Sequence, residues 1–228
     1  MVLFALTVTI VICSLIPQFW VRYTLKKYSR ELPNMPGTGG ELAQHLIERF
    51  ELEGVSLEAC DQGADHYDPQ AKVVRLSPSY LEGKSLTAVA VAAHEVGHAI
   101  QYHRQERISQ LRSKYIPISV RLQKIGTMIL MAMPIVTGIT KAPAVFVITV
   151  AVSLGLQLLA ALLYLFVLPE EWDASFNKAL PILEKGSYLP SEYHEPVRKV
   201  LKAAALTYFA GAFANILNIG RWFLILRR

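Results

Sequence analysis

Ala88-Val89-Ala90-Val91-Ala92-Ala93-His94-Glu95-Val96-Gly97-His98 is the stretch on which the reading of this chain turns. A helix through these residues places His94 and His98, four apart, on one face. Two imidazoles at that spacing, with a carboxylate beside the first, can hold a zinc ion and activate its water. Glu95 is rotated by one residue from His94, so it is placed over the water as general base, off the metal. Gly97 keeps the face beside the metal free of a side chain. Two histidines and a glutamate also occur together on solvated helix faces. Here the apolar run around them makes their burial costly without a purpose.

Zinc needs a third protein ligand and an open fourth position. His103 lies five residues past His98 and faces away from it. The longer HExxHxxGxxH pattern fails at Gln101 and Arg104. The block Glu170-Glu171-Trp172-Asp173-Ala174-Ser175 offers Glu171 first and Glu170 second. An acid there would equally suit a helix N-terminus.

Outward from the motif, the chain is a membrane protein. Of its 228 residues 53% are hydrophobic and 18% charged, and the mean hydropathy is +0.33. The apolar residues are concentrated in runs 2–20, 122–139, 143–168 and 203–226, each near the ~20 residues that cross a hydrocarbon core. The first run is followed, not preceded, by Arg22, Lys26, Lys27 and Arg30, which marks a retained anchor and not a cleaved signal. The second and third, with only Lys141 charged between them, make a hairpin. Arg221 interrupts the last, so a tilted or interfacial helix is the alternative to a fourth span there.

Fourteen Lys and Arg fall in 22–124 and five in 178–202, which puts both polar stretches on the cytoplasmic side. The formal charge of +5 comes without a basic stripe interleaved with aromatics, so nucleic acid is excluded as a partner. Cys13 lies in an apolar run and Cys60 lacks a CxxC companion, so no disulfide framework is expected.

The polar region 22–121 carries a loop at 33–40, a helix over 41–51 and a strand over 55–59. Asp65-His66-Tyr67-Asp68-Pro69 reads as a turn, and 72–77 as a second strand, giving a small antiparallel sheet beside the helix that runs from about Ser85 to His103. The domain plan is therefore transmembrane helix 1 at 1–21, a cytoplasmic catalytic region at 22–121, a hairpin at 122–168, a cytoplasmic segment with the third ligand at 169–202, and a C-terminal transmembrane helix at 203–226.

The stretch 92–101, the pentapeptide Asp65-His66-Tyr67-Asp68-Pro69 and the block 168–175 together resemble the bacterial membrane zinc metallopeptidases of the YugP-like family. The likeness extends over essentially the whole chain, to Lys202-Ala203-Ala204-Ala205-Leu206-Thr207-Tyr208. That family is similar to the HtpX/Ste24-type gluzincins, whose third ligand is the glutamate of an ExxxD block. The resemblance makes that residue Glu171 and places Ser175 where those relatives carry an aspartate beside the first histidine. It further implies that strand 72–77 pairs with substrate backbone, and that His66, with Tyr67 competing, donates to the oxyanion. A His-Tyr-Asp-Pro turn is equally a rigid loop in which Asp68 bonds its own backbone.

The expectation is a mainly α membrane protein with about four transmembrane helices, a zincin-like catalytic helix and a small antiparallel β-sheet. It is read as a zinc metalloendopeptidase of the bacterial inner membrane, multi-pass, with its site facing the cytoplasm. His94, His98 and Glu171 bind Zn2+, and Glu95, His66 and Tyr67 serve catalysis. Its substrates are peptides or membrane proteins, and homo-oligomer and regulatory partner are left open. The rival is a catalytically silent zinc-containing scaffold.

Overall fold

The structure, a computed structural model, describes the backbone of residues 2–211 and the side chains of 15–211. In chain order the helices are α1 (Val2–Lys27), α2 (Gly39–Arg49), α3 (Pro78–Leu81), α4 (Leu86–His103), α5 (Leu111–Thr140), α6 (Pro143–Leu165), α7 (Leu168–Trp172), α8 (Leu180–Lys185) and α9 (His194–Ala205). A π-helical stretch, Asp173–Ala179, links α7 to α8. The strands β1 (Ser56–Ala59), β2 (His66–Asp68) and β3 (Val73–Leu76) lie between α2 and α3. The chain divides into two units, one of 1–18, 111–168 and 208–228, the other of 19–110 and 169–207.

In the second unit α4 is the central element. Every residue from Leu86 to Gln101 is buried, as a helix apolar on all sides must be. Ser85 starts it by accepting the Ala88 N–H at 3.1 Å, a cap that satisfies one of the first turn's donors. Alanines at 88, 90, 92, 93 and 99, all fully buried, let its neighbours come close. Among these are α2, α3, α9, the π-helical stretch, β2 and β3. Helix α2 begins with a capping box, Thr38 Oγ1 accepting from Glu41 N at 3.1 Å and Thr38 N donating to Glu41 Oε2 at 2.7 Å. Gly39 is required there. A Cβ would stand 2.3 Å from Tyr80 O and 2.7 Å from Ala88 O.

The sheet has the order β1-β3-β2 and is mixed. β1 runs parallel to β3, and β2 antiparallel to it. Two sequence expectations are corrected by this. The expected turn at 65–69 contains a strand, because Tyr67 buries its ring and Arg75 grips its neighbours. The expected antiparallel pair is instead β1 parallel to β3, with β2 inserted on the other edge. Arg75, on the central strand, reaches Asp68 at 2.7 Å and Glu58 at 3.2 Å, so one guanidinium ties both edges to the middle. Asp65 closes the β2 end by accepting from Ser77 N at 2.6 Å and Ser77 Oγ at 2.8 Å.

In the first unit α5 and α6 pack through small residues and hydroxyls, as membrane helices do. Ser153 Oγ donates to Gly126 O at 2.6 Å, and Ser119 Oγ to Ala160 O at 2.8 Å. A Cβ at Gly126 would press on Gln157 Cγ at 3.0 Å and Ser153 O at 3.1 Å. The outer faces are large and apolar, Ile135, Ile139, Val147 and Leu158 among them all being more than half exposed. Among the described residues two helices are long and apolar enough to cross a membrane, Arg107–Thr140 and Pro143–Lys185, where the sequence reading expects four. The side chains of 2–14 and most of the last run, 212–228, lie outside the described residues.

Candidate metal centre

Helix α4 and the α7–π segment bring the motif blocks together. His94, His98 and Glu171 are 4%, 0% and 1% exposed. Both His94 Nε2 and His98 Nε2 stand 3.3 Å from the same atom, Glu171 Oε2. The imidazole planes cross at 80° with centroids 4.7 Å apart, as they must to aim two ring nitrogens at one point. Among the described residues this is the one group of three His, Cys, Asp or Glu side chains placed to share an ion.

The hydrogen bonds decide what these atoms present. Ser175 Oγ gives its single proton to Leu201 O at 3.0 Å, so at His94 Nδ1, 2.9 Å away, it can only accept. His94 therefore carries its proton on Nδ1 and turns the Nε2 lone pair toward Glu171. Gln101 Oε1 lies 3.0 Å from His98 Nδ1 and accepts in the same way.

Two nitrogen lone pairs, each 3.3 Å from one carboxylate oxygen, thus converge in a buried space. Lone pairs at that distance repel unless a cation lies between them. Donors about 2.0–2.1 Å from a tetrahedral ion stand about 3.3 Å apart, so the residues fit zinc. Glu95, 6% exposed, accepts the Tyr67 backbone N–H at 2.9 Å on Oε2. Gly97 allows the π-helical backbone to approach α4, since a Cβ would stand 2.8 Å from Ala174 O. π-Helical insertions commonly occur at functional sites, and this one, following Glu171 on α7, sets Ser175 against His94.

The sequence pattern of the family described as "Putative neutral zinc metallopeptidase" matches residues 3–227. The chain belongs to this family. It is 31% identical over 224 residues to "Putative membrane protease YugP" of Bacillus subtilis (strain 168), covering 96% of this chain and 94% of the relative. No solved structure matches.

Within this family member the other sequence candidates lie as follows. Glu170 is fully buried, its Oε1 3.9 Å from His98 Nδ1, on the far side of the ring from Nε2. His103 ends α4 in solvent. His66 Nδ1 bonds Ala64 O at 2.6 Å and its Nε2 meets Arg75 Nη1 at 3.3 Å, so both ring nitrogens are engaged. The Tyr67 ring is buried against Tyr102, centroids 5.6 Å apart, and burial raises its phenol. Its backbone N–H, spent on Glu95, points away from β3. The strand expected to pair with substrate, 72–77, is β3, whose two edges are filled by β1 and β2. That expectation is corrected, because no edge remains there for another chain.

Three features escaped the sequence reading. Gln101 appeared in it as a departure from a longer motif and as the end of the stretch 92–101, with no role of its own. Its spacing of three from His98 on a helix was the available signal. The Leu201 carbonyl that orients Ser175, and the Tyr67 amide that holds Glu95, are backbone groups and left no mark in the sequence.

Proposed function

We propose that this chain is a zinc metalloendopeptidase of the bacterial cell membrane, hydrolysing peptide bonds of membrane or membrane-proximal proteins. The observation that carries the reading is the meeting of His94 Nε2 and His98 Nε2 with Glu171 Oε2 at 3.3 Å, beside a glutamate that is not part of the trio. His94, His98 and Glu171 would hold zinc, which when bound supplies Lewis acidity toward a water and a carbonyl oxygen.

The chain's own groups account for the rest. The Tyr67 amide fixes one oxygen of Glu95, leaving the other to take a proton from the attacking water and return it to the leaving amine. In an antiparallel pair, a residue whose N–H leaves the ladder also turns its C=O outward. On the outer edge of β2 the Tyr67 C=O is thus the group left to accept from an extended peptide backbone. We assign Tyr67 to the site through this main chain. A donating role for His66 at the oxyanion requires its release from Ala64 or Arg75.

The multi-pass arrangement with a cytoplasmic site is supported by the Lys and Arg distribution, fourteen in 22–124 and five in 178–202 against one in the hairpin. A structural zinc site would not need Glu95 and would close its fourth position. Glu95→Gln therefore tests the reading. The purified variant should hold as much zinc as wild type and cleave an unfolded protein substrate at least about 10²-fold more slowly. Cleavage at the wild-type rate would overturn it.

A further inference from the structure

Gln101 is fully buried on α4, three residues after His98. A carboxamide can present either its oxygen or its nitrogen to a neighbour, and the remaining partners decide which. Gln101 Nε2 lies 3.1 Å from the Glu170 carbonyl and 2.8 Å from Asp173 Oδ2. Both of these atoms only accept, so both amide protons are committed to them. Oε1 is left facing His98 Nδ1, where it too can only accept. Asp173 is in turn fixed, by Asn177 Nδ2 at 2.7 Å and by Lys178 Nζ at 3.2 Å, and Lys178 is also paired with Glu106 at 3.0 Å.

We infer that Gln101 is a positioning residue for the metal centre: its carboxamide, aimed by Asp173 and the Glu170 carbonyl, locks His98 with its proton on Nδ1 and its Nε2 lone pair toward Glu171. The relay Lys178–Asp173–Gln101–His98 serves the second histidine as Ser175 serves the first. The two devices differ in kind. Ser175 reaches α4 from the π-helical stretch, whereas Gln101 starts on α4 and borrows its orientation from that stretch. A neutral amide does this without adding a further buried carboxylate to Glu95, Glu170 and Glu171, which would otherwise have to be desolvated.

The inference rests on the zinc reading above, and the experiment separates the two. Zinc affinity of the full chain in detergent is measured by chelator competition, and the visible spectrum is recorded after cobalt substitution. Gln101→Met keeps the volume and removes the polar atoms. It should bind zinc about 10–100-fold more weakly and shift the cobalt spectrum, which a residue that merely fills space would not do. In Gln101→Glu the new carboxylate faces that of Asp173. Adding Asp173→Asn reverses donor and acceptor along the relay, so the double variant should bind zinc at least about tenfold more tightly than Gln101→Glu alone. This comparison decides the matter if Gln101→Met does not fold. Wild-type zinc affinity and spectrum in Gln101→Met, or no recovery in the double variant, would overturn the inference and leave the zinc reading standing. Absence of zinc binding by the wild-type protein would overturn both.

Discussion

Gly97→Ala is the substitution whose outcome the structure predicts most sharply, because local propensity and packing oppose each other there. In an unobstructed helix interior, alanine is better than glycine by about 0.5–1 kcal/mol. At Gly97 the new Cβ would stand 2.8 Å from Ala174 O and 3.4 Å from Ala174 C and Cα. Carbon and oxygen in ordinary contact keep about 3.3 Å or more between them, so α4 and the π-helical backbone must separate by about 0.5 Å. Overpacking of this kind costs about 1–3 kcal/mol, which exceeds the propensity gain over most of its range.

The same shift moves Ser175, which contacts His94, and Glu171, which contacts both histidines. The Ser175–His94 hydrogen bond, 2.9 Å long, would stretch to about 3.4 Å, near the limit of a useful interaction. Metal centres are held to about 0.5 Å of their working geometry, so zinc affinity should fall by about 10–100-fold, the range for loss of a group that orients a ligand. Chelator competition and thermal unfolding of the metal-free protein measure the two effects separately. Gly155→Ala on α6, with nothing within 4 Å of the added methyl, is the control that should show no loss of zinc affinity. A Gly97→Ala protein that is more stable than wild type and binds zinc equally would refute the close-approach argument.

Three further outcomes are expected. Glu171→Ala should lose zinc at concentrations where wild type is saturated, as read by metal analysis after dialysis; full retention would move the third ligand elsewhere. Ser175→Ala removes the acceptor facing the buried His94 Nδ1–H, and should cost about 1–3 kcal/mol of stability and weaken zinc binding. Asp68→Asn should lower the unfolding midpoint at neutral pH. The Arg75 hydrogen bond holds the Asp68 carboxyl below its ordinary 3.8, so this stabilisation is complete above 3.8 and lost as pH falls through the lower folded value. The gap between variant and wild type in a pH series of thermal melts should therefore close in acid.

What the sequence made legible was whatever depends on periodicity. The spacing of His94 and His98, the capping residue Ser85, the apolar runs 122–139 and 143–168 and the strands flanking 65–69 are local patterns, and the structure contains them. The sheet was less legible. Nothing in the four residues of β1 distinguishes parallel from antiparallel pairing, which depends on how the chain returns. The segment 65–69 looked like a turn because Asp and Pro bracket it, yet Tyr67 has a buried place in the core and Arg75 binds both His66 and Asp68. Tertiary partners there outweigh local turn chemistry.

The departure at Ser175 shows why side-chain identity alone was insufficient at the site. Set against relatives with aspartate, serine reads as a loss of the charge that raises a ligand's basicity. In the fold, the Leu201 carbonyl stands 3.0 Å from the same oxygen. An ionised aspartate cannot donate and would place an acceptor against that carbonyl in a buried space, where an unmatched polar pair is costly. Serine has one proton to give and a lone pair to offer, which is what a position between a carbonyl and an imidazole N–H demands. Ser175→Asp is therefore expected to bind zinc less well than wild type in this protein, although it brings the residue of the ExxxD enzymes. Tighter binding by that variant, measured by the same chelator competition, would show that charge outweighs the hydrogen bond to Leu201. The second histidine poses the same problem with a different solution, since Gln101 satisfies two acceptors with one amide group and still offers an oxygen to His98. In both cases the choice of residue follows from which backbone carbonyl is brought alongside it, that of Leu201 on α9 for Ser175 and that of Glu170 on α7 for Gln101.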